Sequence, residues 1–300
     1  MTAGSIVRTV RALVATLATL CVATAAAAQA SPSMPSPTTP PRLRGFSASA
    51  TVSMRIYVPT GRIRIRTWDR DSIAITGSIG ARSEMFGGGD RDHVKLGVEP
   101  MRTGDPALAS ADLLVTVPRR ARLWIKATVA TIDVQGIAGE LEAYAVGGSI
   151  TVQDASGVIS LESLDAPVQV DSVRGDLRIR GGKASIVVAN TSGTASITSV
   201  SGSVTMLGSA AECRIETIGG DISLDATRLR GVLAELQTHA GAIRIDTDTR
   251  ARPLLELSSR TGQVSSPVPR GLAANGRVVA RSFRGSISVT TTPPDTRTPD

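Results

Sequence analysis

From Ala121 onward, apolar residues alternate with polar ones in short bursts, and the bursts recur every nine residues. Stepping by nine through Ala121, Ala130, Gly139, Gly148, Gly157, Ala166, Gly175, Ala184, Gly193, Gly202, Ala211 and Gly220 meets only glycine and alanine. The positions two and four residues after each of these are apolar throughout, from Leu123 and Ile125 to Ile222 and Leu224. Alternation over five residues predicts a strand with one buried face, and the recurrent small residue marks a bend or a close approach of backbone. Each unit is therefore one short strand plus a corner. A unit of this size cannot bury its apolar face alone, so the repeat predicts an all-β chain wound as a parallel β-solenoid whose stacked units share a core. Nine residues at about 3.3 Å each are too few to close around an interior, so a coil is expected to hold about two units, with three as the alternative.

Past Gly220 the same signature returns at Gly241 and Gly262, each 21 residues on, so extra residues such as Arg228 to Gly231 enlarge corners without ending the winding. Gly285-Ser-Ile-Ser-Val289 reads as the closing strand. Upstream, Phe46 to Val58 alternates strictly, and Gly61 to Ile65 and Ile73 to Ile75 give further strands that are longer and less regular. Residues 45–120 are thus expected to form an N-terminal β section that caps one end of a solenoid spanning 121–290, because an uncovered end would expose core and strand edge. Gly80 to Leu96, with its MFGGGDRDH run, reads as the most loop-like insert.

The ends follow different rules. Arg8 and Arg11 precede an apolar Ala/Leu/Val-rich run that closes on Ala28-Gln29-Ala30, the pattern of a cleaved secretory signal peptide over residues 1–30. Residue 20, before Cys21, is leucine where a lipid-attachment motif wants a small residue, so a soluble exported protein is expected, with no integral membrane segment after cleavage. Residues 31–44 read as a Pro/Ser-rich linker and 291–300 as a disordered tail. Loss of Cys21 leaves Cys213 alone, so no internal disulfide supports the fold.

The succession Gly-x-Ile-x-Ile-x-x-Trp-Asp at 61–69, Asp-Leu-Leu-Val-Thr-Val-Pro at 112–118 and then serial Gly-x-Ile-x-Val units resembles the bacterial candidate-adhesin family known as domain of unknown function 4097. That resemblance covers nearly the whole mature chain. It implies an exported, repetitive β protein of the cell envelope, periplasmic or at the cell surface, and it implies no catalytic residues.

Composition narrows the partners. The formal net charge is +7, but the basic residues are dispersed, and 3 Phe, 2 Trp and 2 Tyr offer few rings for stacking, which argues against nucleic acid. His93 and His239 stand far apart and Asp90-Arg-Asp92-His93 lacks a ligand spacing, so no metal and no cofactor is expected. The calcium-binding β-roll shares the nine-residue period, but the corner positions Ala127, Gly136, Ala145, Asp154, Ser163, Ser172 and Gly181 carry one aspartate. Ser192 and Ser201 are explained by the repeat, and Cys213 falls on an inward position.

Stacking positions eighteen apart shows what each outer face presents. One face gathers Glu162, Arg178, Arg180 and Glu216, either a ladder of ion pairs or a polar binding strip. On the other, Val187, Ala189 and Leu207 break the alternation and form an apolar interaction patch, to be covered by another part of the chain or by a partner. No paired carboxylates stand out, so the sequence reads as a non-enzymatic adhesin, envelope scaffold or interaction module, binding an envelope or surface component or a second copy of itself. The alternative is a glycan-active β-solenoid enzyme of the polysaccharide lyase or hydrolase kind. A third reading is a regulatory partner in an envelope-stress system.

Overall fold

The structure is a computed structural model that describes residues 42–102, 109–208, 210–227, 232–248, 253–268 and 276–292. The expected signal peptide, most of the expected linker, Arg228 to Gly231 and most of the expected tail lie outside these residues. Twenty strands and no helix are found among the described residues. They are β1 (Arg42–Ser47), β2 (Ser53–Trp68), β3 (Ser72–Ile79), β4 (Ser83–Gly89), β5 (His93–Pro100), β6 (Ser110–Pro118) and β7 (Arg122–Gln135). Then come β8 (Glu140–Ser163), β9 (Val168–Gly181), β10 (Ile186–Ala189), β11 (Ser192–Ser199), β12 (Val204–Leu207), β13 (Glu212–Thr217) and β14 (Ile222–Asp225). The last are β15 (Val232–Thr238), β16 (Ile243–Asp248), β17 (Leu254–Ser259), β18 (Val264–Ser265), β19 (Gly276–Ser282) and β20 (Ile287–Thr292).

All twenty belong to one mixed, hydrogen-bonded sheet. Antiparallel pairing is confined to β1–β3, β3–β6 and β4–β5, at the N-terminal end. From β7 onward every pairing is parallel, and between β7 and β14 each residue sits opposite the one eighteen places later: Ile132 faces Ile150, Ile150 faces Val168, and Ile197 faces Ile215. The inward positions of the sequence frame, Leu123 and Ile125 through Ile222 and Leu224, are all buried. They form one apolar core continuous with Met54, Ile56, Ile63 and Ile65 of β2. β2 itself pairs in parallel with β7, Ser53 opposite Arg122 and Ile63 opposite Ile132.

Two expectations are corrected. The loop-like insert at Gly80 to Leu96 is a hairpin, β4 against β5. Its glycine run weakens the alternation that marks a strand, yet Met85 packs on the core, the Phe86 ring lies across Gly97, and the Asp90 carboxylate accepts the amides of Asp92 and His93 to close the turn. Gly285 to Val289 does not close the winding either. β19 and β20 are inserted between earlier strands, in the orders β15–β19–β17 and β16–β20–β18, which leaves β17 and β18 outermost.

Candidate functional site

Two kinds of corner join the strands, and they decide which side chains reach solvent. At the first, a Ser or Thr is followed three residues later by Gly or Ala: Ser163/Ala166, Ser199/Gly202, Thr217/Gly220, Thr238/Gly241, Ser282/Gly285 and Ser259/Gly262. The hydroxyls are largely buried and bond the backbone of the residue three places on, as in Ser199 Oγ to Gly202 O (2.9 Å), Thr217 Oγ1 to Gly220 O (2.6 Å) and the Gly285 amide to Ser282 Oγ (2.8 Å). A side chain thus supplies the partner that the ladder cannot, and the chain turns in two residues. At the second corner, Gly136, Asp154, Ser172, Asn190 and Gly208 all take left-handed backbone, with φ of 84, 52, 58, 51 and 93°. Short polar residues and glycine tolerate that conformation best.

The two residues between hydroxyl and glycine project outward, and their first members stack rung upon rung. Leu164, Gly182, Val200, Ile218, His239 and Phe283 form this column, held by corner bonds such as Val200 N to Gly181 O (3.1 Å) and Ile218 N to Ser199 O (3.2 Å). Leu164, Val200 and Ile218 are 50, 53 and 59 % exposed. The His239 and Phe283 rings stack in parallel with centroids 4.8 Å apart, and Arg260 lies 5.0 Å over the Phe283 ring. A cleft of about 610 Å³ runs beside the column, lined by Thr198, Glu216, Gln237 and Arg281 from the adjoining face. Val200 and Ile218 are adjacent exposed aliphatic side chains, and Leu164 stands two rungs from Val200, across Gly182. Sequence reasoning passed over this row, although the Ser/Thr-x-x-Gly pattern marks its position.

The residues singled out from the sequence fall on two outer faces. On one, Glu162 stands opposite Arg180, Arg178 opposite Ser160 and Ser196, and Glu216 opposite Thr198. Among the described residues neither Arg178 nor Arg180 lies within 4.0 Å of a carboxylate; Glu216 pairs with Arg214 instead (2.7 Å), and Arg214 reaches on to Glu235 (3.5 Å). The guanidinium of Arg214 is held further above its ordinary range by the hydrogen bond to Glu216. On the other face Ala189 is directly opposite Leu207, with Val187 two residues earlier between Gln169 and Thr205. Val187 and Ala189 are half-buried and Leu207 is 43 % exposed.

Polar chemistry runs in columns here and does not converge on a point. Among the described residues no three His, Cys, Asp or Glu side chains are grouped to hold a metal ion. Cys213 is buried in the core, and that burial pushes its thiol up to about 12. Also among the described residues, no helix is long and apolar enough to cross a membrane.

A model of the Toastrack DUF4097 family matches residues 41–281. Among solved structures, a candidate cell adhesion protein from Clostridium sporogenes ATCC 15579 aligns with 82% of this chain and 94% of its own, at 10% identity and a TM-score of 0.22. A candidate adhesin from Bacteroides fragilis NCTC 9343 aligns with 82% of this chain and 95% of its own, at 12% identity and a TM-score of 0.35. Superpositions at that level carry no argument about this chain's activity. No curated protein matches the sequence.

Proposed function

The chain belongs to the Toastrack DUF4097 family, and from that membership and the surfaces above we propose that it is an exported, non-catalytic β-solenoid acting as an adhesin-like or scaffolding module of the cell envelope. The eighteen-residue register supports a winding of nine-residue strand-plus-corner units, two per coil, with residues 45–120 capping one end. The observation that carries the binding role is the corner column in which Leu164, Val200, Ile218 and His239 are exposed and the part-buried Phe283 ring stacks on His239. A row of apolar side chains on a rigid, repetitive scaffold suits a partner that lies along the winding. Val187, Ala189 and Leu207 are a second, smaller candidate patch on the opposite sheet face.

The test compares two double variants of the exported protein. Val200→Lys with Ile218→Lys should leave the melting temperature within a few degrees, because both side chains are more than half exposed, yet abolish retention by isolated envelope fractions. Val187→Lys with Leu207→Lys reports on the second patch in the same way. Retention unchanged in both would remove the binding role from these surfaces, and release of new reducing ends from envelope polysaccharide by the wild type would overturn the non-catalytic reading.

A further inference from the structure

The chain has only seven aromatic residues, a number that argues against ring stacking as its business. The fold nevertheless gathers four of them on one outer face. Tyr57 of β2 stands opposite Lys126 of β7, which stands opposite Tyr144 of β8, so three successive rungs read Tyr, Lys, Tyr. Trp124 lies on the same face two residues before Lys126, opposite Arg55 on one side and Glu142 on the other. On the next strand out, Gly97 is opposite Tyr57, and the place its Cβ would take is filled by the Phe86 ring, 2.0 Å away. A glycine inside a strand weakens it, and here no left-handed φ demands one. The glycine lets Phe86 lie flat on the sheet beside Tyr57.

These rings are accessible. Phe86 is 42 % and Trp124 36 % exposed, Tyr57 and Tyr144 are half-buried, and Lys126 Nζ sits 5.9 Å from the centre of the Tyr144 ring. Arg55 and Glu142 flank Trp124 in its own row, Arg122 and Glu140 stand in the row beyond it, and all four line a shallow cleft of about 370 Å³ with Trp124. Among the described residues none of these four has an oppositely charged group within 4.0 Å, although Arg122 and Glu140 face each other across the ladder. Their hydrogen-bonding capacity is therefore turned to solvent.

We propose that this face, β4–β5–β2–β7–β8, is a binding platform for a β-linked chain of neutral or N-acetylated hexoses. Such a sugar presents flat C–H faces to aromatic rings and a rim of hydroxyls to charged side chains, and the platform supplies both in alternation. Rungs about 4.8 Å apart match the rise of such a chain by roughly one hexose per strand. A dry protein interface fits poorly, because its centre would have to desolvate four unpaired charges. A nucleic acid fits poorly too, since Glu140 and Glu142 would repel phosphates. The polar strip at Glu162, Arg178 and Arg180 continues the same face beyond Tyr144, so a long chain could run on along it.

The proposal rests on the envelope-binding reading above but fails separately from it. The probes are chitohexaose and cellohexaose, titrated into the protein by calorimetry and by tryptophan fluorescence. One of them should bind, Trp124→Ala should weaken that binding by about tenfold or more, taking the low end of what a lost aromatic platform costs a stacked nucleobase as the scale, and Trp124→Phe should restore most of it. Tyr57→Ala gives an independent truncation should Trp124→Ala melt early. Val200→Lys with Ile218→Lys should leave oligosaccharide binding intact. No binding of either probe at millimolar concentration, or binding indifferent to both ring truncations, overturns the glycan platform while leaving the corner column standing. Envelope retention that depends on Trp124 but disappears when the fraction is treated with protease would overturn it in favour of a protein partner.

Discussion

Two adjacent glycines, Gly147 and Gly148, give the sharpest test of why small residues keep a nine-residue clock. Gly148 lies on the clock and Gly147 does not. At Gly148 the backbone has φ +91°, and a Cβ would sit 2.1 Å from the carbonyl oxygen of Ala130 and 2.5 Å from its carbon. Those are backbone atoms of the neighbouring rung, held by the ladder, so they cannot swing aside as a side chain would. Left-handed backbone costs an L-residue about 1–2 kcal/mol, and forcing a methyl into closed packing costs about 1–3 kcal/mol more. Gly148→Ala should therefore lose about 3 kcal/mol. At about 2–4 °C per kcal/mol for a domain of this size, that is a melting temperature lower by roughly 10 °C. At Gly147 the nearest atom to a new Cβ is Val129 Cγ2 at 3.6 Å, an ordinary contact, and the φ is not left-handed. Gly147→Ala should be neutral, or stabilising by up to about 0.5–1 kcal/mol through the lost freedom of the unfolded chain. Urea and thermal melts on the two variants decide the matter. Equal stabilities within about 1 kcal/mol, or Gly147 the worse of the two, would mean that the small residues mark something other than backbone contact between rungs.

Three further outcomes follow from the register. Deleting Gly193 to Ser201 moves every later strand to the opposite face of the core, whereas deleting Gly175 to Ser192 removes one full eighteen-residue step; the longer deletion should keep a cooperative melt and the shorter should not. Ile179→Asp puts an unpartnered charge among buried apolar side chains and should cost about 4 kcal/mol or more, while Ser196→Asp, on the outer face beside Arg178 and Arg214, should change stability by less than about 1 kcal/mol. Cys213 should resist a thiol reagent until the chain unfolds. Its folded thiol is raised from the ordinary 9.0 to about 12 by burial, so it stabilises the fold fully below pH 9, and that contribution should fall by about 1.4 kcal/mol per pH unit as the pH rises through this window, a slope Cys213→Ala should remove.

How far the sequence carries depends on what each residue answers to. Ile150, Val152, Ile159 and Leu161 answer to burial alone, and burial leaves a period of two inside each strand and of nine between strands. The eighteen-residue step is fainter, because it resides in the corners. Ala127, Ala145 and Ser163 are buried at one corner, while Gly136, Asp154 and Ser172 are left-handed at the other, and both sets read simply as small or polar. The exposed corner column was hidden for the same reason: Val200 and Ile218 look like core residues until the Ser199 and Thr217 hydroxyls are seen to close the turn beneath them. The aromatic face could not be read at all from spacing. Phe86, Tyr57, Trp124 and Tyr144 lie up to 87 residues apart and meet only because β2 pairs with both β5 and β7.

The order of the last strands is read from their outer positions, since both β17 and β19 offer apolar residues to the core. Leu255 and Leu257 of β17 and Val278 and Ala280 of β19 would each serve as the next apolar rung on Ala234 and Leu236 of β15. The outer positions do discriminate. With β17 directly on β15 in the same register, Glu256 would stand opposite Glu235, a like-charge pair that destabilises a ladder. Inserting β19 puts Val279 between the two glutamates and brings Arg281 to Glu235 (3.2 Å) and Arg277 to Glu256 (2.8 Å). The Glu256 carboxyl is held below its ordinary range by that hydrogen bond from Arg277. Separating the glutamates and giving each an arginine partner both favour the observed order. Cysteine pairs read the order directly. Gln237→Cys with Arg281→Cys joins neighbouring rungs about 4.8 Å apart and should oxidise to a disulfide, whereas Gln237→Cys with Ser258→Cys spans two rungs, about 10 Å, beyond the roughly 7 Å that a disulfide bridges. The second pair linking while the first stays reduced would mean that β17 follows β15 directly and that the glutamates tolerate each other.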